Sequence, residues 1–167
     1  MLDTRPFPRY FRSMKLTDYT ISQGFLPRLD CGDLAGAVSF LVERLAREGE
    51  VADPAGLAGE VMHREKEGSR AIGGGLVSPH ARFAGVARVR VGVATLARPL
   101  DIPAEDDRPV DIVILLVGPP NDPRQMLRVL ARLARLVRQD SFLEGLRKAD
   151  TAELLRAAFD RAGEFNY

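Results

Sequence analysis

Apolar residues along this chain follow two rhythms, one of about 3.6 residues and one of two, and the switches between them mark out the expected elements. After Asp33, the residues Leu34, Val38, Leu41 and Leu45 recur at steps of four and three, which places them on one face of a helix that Gly49 can end. Asp53-Pro54 reads as a second helix start. An aspartate there can accept from free N–H groups of the first turn, and a proline at the first helical position loses no bond. Leu57, Ala58, Val61 and Met62 then form the apolar face, and Gly68 can close the segment. In "VARVRVGVATL" the rhythm changes to two, with Val89, Val91 and Val93 on one face and Arg88 and Arg90 on the other. "VDIVILLVG" is apolar almost throughout, as in a central strand buried on both faces. Asp122-Pro123 repeats the helix start, and Leu127, Leu130, Leu133, Ala134 and Val137 are expected to point inward. Thr151 can cap a last helix carrying Leu154, Leu155, Ala158 and Phe159. Helices on both sides of a buried strand predict a three-layer α/β/α sandwich with a central mixed sheet flanked by helices.

Composition adds limits. The chain is 46% hydrophobic and 28% charged, enough apolar material for a globular core. Its 24 basic and 23 acidic side chains leave a formal net charge of +1, so bulk attraction to nucleic acid or to a membrane is not expected. No apolar run approaches the about 20 residues that span a bilayer, and the N-terminus lacks the apolar region of a secretory signal. A cytoplasmic protein fits. Residues 1–13 are rich in Arg, Pro and aromatics without a period. They read as an extension of a domain over 14–167, or equally as an upstream start ahead of Met14.

Few residues offer chemistry. Cys31 is alone, so neither an internal disulfide nor a cysteine-rich zinc site is expected. His63 and His80 lack metal-ligand spacing, and no metal or cofactor is expected. Gly73, Gly74 and Gly75 are consecutive but lead into neither a P-loop nor a dinucleotide fingerprint, so they predict a tight hairpin or bulged connection. Arg124, Arg128, Arg132 and Arg135 make a basic stripe opposite the leucines. Such a stripe is usually a solvated helix face, and a phosphate-rich or acidic partner is the alternative. His80, after Ser78-Pro79, is either an ordinary strand-end residue or a nucleophile or ligand held at a sheet edge.

The string around it favours the second reading. In "REKEGSRAIGGGLVSPHAR", Arg64-Glu65, Gly68-Ser69, Gly73 to Gly75 and Pro79-His80-Ala81 fall in the order found in enzyme IIA domains of the bacterial phosphoenolpyruvate-dependent sugar phosphotransferase system. The segment resembles the fructose/mannitol/nitrogen-regulatory type, and the likeness extends over about residues 14–160. The resemblance implies that His80 is phosphorylated by an HPr-type phosphohistidine carrier. The group then passes to a IIB component for sugar uptake, or its presence is itself a regulatory signal. It also implies that Arg64 stabilises the phosphoryl group; Arg82 and Arg70 are near in sequence and could add charge. Transport members often have a second histidine at the position of Met126, where this chain expects a small hydrophobic patch for partner docking beside Arg82. Arg70 replaces a usual threonine, and His63 reads as a helix residue. A binding module that keeps the fold without being phosphorylated is the alternative.

Overall fold

A computed structural model describes residues 15–68 and 71–164. The expected extension over 1–13 lies outside the described residues, as do Met14, Ser69 and Arg70. A 3-10 turn, Leu16–Tyr19, leads into β1 (Thr20–Leu29), α1 (Leu34–Arg47) and α2 (Pro54–Gly68). Two short strands follow, β2 (Leu76–Val77) and β3 (His80–Arg82), then two long ones, β4 (Arg90–Leu100) and β5 (Val110–Gly118). Three helices close the fold: α3 (Pro123–Leu136), α4 (Asp140–Lys148) and α5 (Ala152–Glu164).

The sheet runs in the order β1-β4-β5-β2, and β3 continues along the same edge of β5 as β2. Only the β4–β5 pair is antiparallel, so the sheet is mixed as expected. Residues Ile112 to Val117 of β5 are all fully buried. Their side chains alternate between two cores. Val113, Leu115 and Val117 meet Leu41, Leu45, Leu57 and Val61 of α1 and α2. Ile112, Ile114 and Leu116 meet Val129, Leu133, Leu146, Leu155 and Phe159 of α3, α4 and α5. Each such aliphatic side chain contributes about 1.5–3 kcal/mol on burial, which makes β5 the axis of the three-layer sandwich.

The helix starts follow the capping residues. Asp33 accepts from Gly36 N (2.8 Å), Asp53 from Gly56 N (3.0 Å), Asp122 from Gln125 N (3.3 Å) and Thr151 Oγ1 from Leu154 N (3.1 Å). Gly49 ends α1 at φ +77°. The three glycines form a tight turn with φ of +106°, +66° and +80°, closed by Ile72 N donating to Leu76 O (2.9 Å). The chain leaves this turn as β2, parallel to β5.

Two expectations are corrected, and one strand is unforeseen. On α3 the inward face is Met126, Val129, Leu133 and Leu136; of the expected row Leu133 is inward and Leu130 and Val137 are half-buried against the same core, but Leu127, 67% exposed, and Ala134 face out. A helix rotates about 100° per residue, so reading the row one position late turns it away from the sheet. Leu154 is likewise exposed, while Leu155 and Phe159 fill the core. No strand is expected before Asp33, because β1 carries none of the simple alternation used to find strands. It holds Gly24, Pro27 and a left-handed Arg28 (φ +50°), which an edge strand tolerates. Arg28 N turns inward to donate to Thr95 Oγ1 of β4 (2.8 Å).

Candidate functional site

His80 owes its position to a repaired break in the sheet edge. Pro79 separates β2 from β3 and has no N–H to give. Leu116 N still donates to Pro79 O (3.0 Å), but the neighbouring acceptor on β5, Ile114 O, would be left empty beside a proline. The buried Ser78 fills it, with Oγ donating at 2.9 Å. The ladder resumes at His80, in register with Leu116.

The imidazole is exposed, whereas the next residue, Ala81, is buried and anchors the strand. His80 Nδ1 lies 3.1 Å from Ser78 O. A carbonyl oxygen only accepts, so in the neutral ring the proton sits on Nδ1. The lone pair is then on Nε2, the nitrogen that a nucleophilic histidine needs free. Ser78 therefore serves twice: its hydroxyl mends the sheet and its carbonyl selects the tautomer.

The other expected residues are placed as follows. Arg64 lies on α2, the helix that packs against β3. Its side chain is 51% exposed, and Nε donates to Glu60 Oε1 (3.0 Å). Arg82, at the end of β3, is exposed and donates to Pro120 O in the β5–α3 loop (3.4 Å). Met126 is only 4% exposed and belongs to the core, so the expected surface patch at that position is not formed. Its sulfur packs beneath Gly118, where an added Cβ would lie 3.6 Å from Sδ. The exposed apolar residue of that turn is Leu127. His63 is an exposed α2 residue whose Nε2 meets Glu67 Oε1 at 3.2 Å. Among the described residues no group of three or more His, Cys, Asp or Glu side chains comes together as a metal site.

Two ion-pair networks brace the sheet around this edge, and the residue pattern alone pointed to neither. Arg90 opens β4 opposite Val117 and makes a two-pronged pair with Glu50, through Nε and through Nη2 (2.7 Å to Oε1). These hydrogen bonds hold the Glu50 carboxyl below its ordinary pKa and raise that of Arg90. At the far end of β2, Arg147 clasps Asp111 (2.7 and 2.9 Å) and donates to Gly74 O, while Gly74 N donates to Asp106 Oδ2 (2.8 Å). Both pairs join residues distant in sequence, so only the fold brings them together. The role of Ser78 had a readable signal: a serine directly before a proline inside a strand can supply the missing donor.

The chain is similar to known proteins in sequence and in fold. The family model described as phosphoenolpyruvate-dependent sugar phosphotransferase system, EIIA 2, matches residues 25–162. A nitrogen regulatory protein of Bradyrhizobium diazoefficiens is 30% identical over 142 residues, covering 85% of this chain and 92% of that protein. The 2-O-α-mannosyl-D-glycerate-specific EIIABC component of Escherichia coli is 33% identical over 129 residues, covering 76% of this chain but only 20% of that longer protein. In three dimensions the nitrogen regulatory protein IIA-Ntr of Neisseria meningitidis superposes with a TM-score of 0.77 at 27% identity, covering 86% of this chain and 98% of that one. IIA mannitol of Escherichia coli, at 18% identity and a TM-score of 0.68 over 83% of this chain and 96% of that one, shares the fold. No helix among the described residues is long and apolar enough to cross a membrane.

Proposed function

The chain belongs to the phosphoenolpyruvate-dependent sugar phosphotransferase system EIIA 2 family, and from that premise we propose that His80 accepts a phosphoryl group from an HPr-type phosphohistidine carrier and that its phosphorylation state is used for regulation. The observation that carries this reading is an exposed imidazole with Nδ1 held by Ser78 O and Nε2 open. The Nε2 lone pair attacks phosphorus and forms the new N–P bond. The donor's N–P bond breaks, and its electron pair returns to the donor ring. The proton on Nδ1 stays in place, and Ser78 O stabilises the positive charge that the phosphorylated ring takes on. Such transfer rests on in-line positioning and on positive charge around the phosphoryl oxygens.

Arg64 supplies that charge. Its present partner, Glu60, sits one turn away in an exposed pair, and such pairs contribute only about 0.3–0.5 kcal/mol. The guanidinium is therefore cheaply released to grip two phosphoryl oxygens. Regulation is favoured over sugar flux by the near full-length match to a nitrogen regulatory protein and by Met126. A thioether, buried here, offers no hydrogen-bond donor to speed the group onward. Transfer to a IIB component is the second reading, favoured by the match to the sugar-specific EIIABC protein. The donor's location would place the chain in the cytoplasm.

Incubation with phosphoenolpyruvate, enzyme I and HPr, followed by intact-mass measurement, tests the proposal. The protein should gain one acid-labile phosphoryl group and His80→Ala none. A wild-type protein that gains nothing would support a non-phosphorylated binding module. Pull-downs with both forms, beside growth of a deletion strain on single sugars, separate regulation from transport.

A further inference from the structure

Helix α3 turns an unusual face to solvent. Arg124, Arg128, Ala131 and Arg135 are all exposed and follow one another at steps of four, three and four. Arg138, in the turn after the helix, extends the row by a further step of three. These steps keep one line along a helix, so the residues form a straight stripe rather than a scatter. Beside the stripe stands Leu127, 67% exposed. Among the described residues none of the four arginines has an ion pair, whereas Arg47, Arg64, Arg90, Arg98 and Arg147 all have carboxylate partners within the chain.

We propose that this outer face of α3 docks an acidic helix of a protein partner, with carboxylates set against the arginines and an apolar side chain against Leu127. The stripe runs about 20 Å, the length of a three- to four-turn helix. Ala131 at its middle leaves room for close approach of a second helix. Guanidinium groups match carboxylates in two-pronged geometry, and arginine is enriched among the residues that dominate interface binding. A nucleic acid would satisfy the arginines but offers its backbone nothing to place against Leu127. A membrane surface would need an apolar helix face, and that of α3 is already spent in the core. The surface requires no phosphorylation, so it stands or falls separately from the role of His80.

The test uses the full chain and a synthetic four-turn helical peptide carrying glutamates at steps of three and four beside a leucine row. A scrambled peptide of the same composition, a duplex DNA of about 20 base pairs and phosphatidylglycerol vesicles serve as controls, with affinities read by fluorescence anisotropy at two salt concentrations. The ordered peptide should bind at least tenfold more tightly than the scrambled one. Arg128→Glu and Arg135→Glu should each weaken it at least tenfold, and Leu127→Ser at least fivefold, with circular dichroism unchanged. Phosphorylation of His80 should be unaffected in all three variants. No binding, equal binding of the scrambled peptide, or tighter binding to DNA or vesicles with no effect of Leu127→Ser would overturn the proposal.

Discussion

Ser78 is the residue whose loss should tell most about the site. Its hydroxyl is buried and satisfies a carbonyl that the adjacent proline cannot. Ser78→Ala leaves Ile114 O without that donor, and a buried orphaned acceptor costs about 1–3 kcal/mol, to be measured by urea denaturation. Arg64→Lys keeps the charge but loses the planar fork. Its phosphorylation rate should fall at least tenfold, about 1.4 kcal/mol of barrier, with folding unchanged. A normal rate would leave Arg64 as a helix-surface charge paired with Glu60. At this scale His80 stands out in the sequence through the string around it, Gly73 to Gly75 and Pro79-His80-Ala81, which carries the family resemblance. Met126 does not: whether one helix position faces in or out depends on the phase of the whole helix against the sheet, which the neighbouring leucines misreport.

The turn at Gly73 to Gly75 joins α2 to the strand that delivers the site, and it is built for residues without a side chain. Gly75 has φ +80°, and a Cβ there would come within 2.6 Å of both Arg147 Nη2 and Asp111 Oδ1 and 3.1 Å of Pro109 O. Gly75→Ala therefore combines backbone strain with disruption of a half-buried ion pair. It should cost more than about 2 kcal/mol, seen as a fall of several degrees in Tm by calorimetry. Ala at Gly49, which also has positive φ but nothing within 4 Å, should cost only the strain. Elements with local signals could be read directly: aspartate and threonine caps, the unbroken apolar run of β5 and the glycine turn. β1 could not, because an edge strand needs only part of its length buried, and Gly24 and Pro27 blur what pattern remains.

The molecule as a whole is two cores on the two faces of one sheet, and the Glu50–Arg90 pair ties the segment after α1 to the start of β4. The side chains are only 18% and 12% exposed, so Glu50→Gln should cost about 1–3 kcal/mol at pH 7. Because the folded carboxyl lies below its ordinary value of 4.5, its contribution is complete above that value and fades as pH falls through the depressed one. The stability gap between wild type and Glu50→Gln should therefore shrink on acidification below pH 4.5. A gap constant with pH would mean that the pair acts through packing alone. The layered architecture could be anticipated because helical and buried-strand patterns interleave along the chain. Strand order, register and the pairing of Glu50 with Arg90 are products of the assembled sheet, and no local pattern encodes them.

The sheet also has two open borders, and their construction bears on how this protein behaves in crowded solution. One border is made of β2 and β3, two and three residues long and interrupted by a proline. The other is β1, where the pairing with β4 shifts register between Leu26 and Leu29 and Pro27 has no amide hydrogen to present. Neither border offers a long row of donors to a stray strand, the usual seed of edge-to-edge aggregation. Pro27→Val would restore a donor on the longer border and should produce concentration-dependent association, detectable by light scattering. If that variant stays as monodisperse as the wild type, the proline shapes only its own bend. Otherwise a residue far from His80 is what keeps the sheet from stray pairing along its longer border.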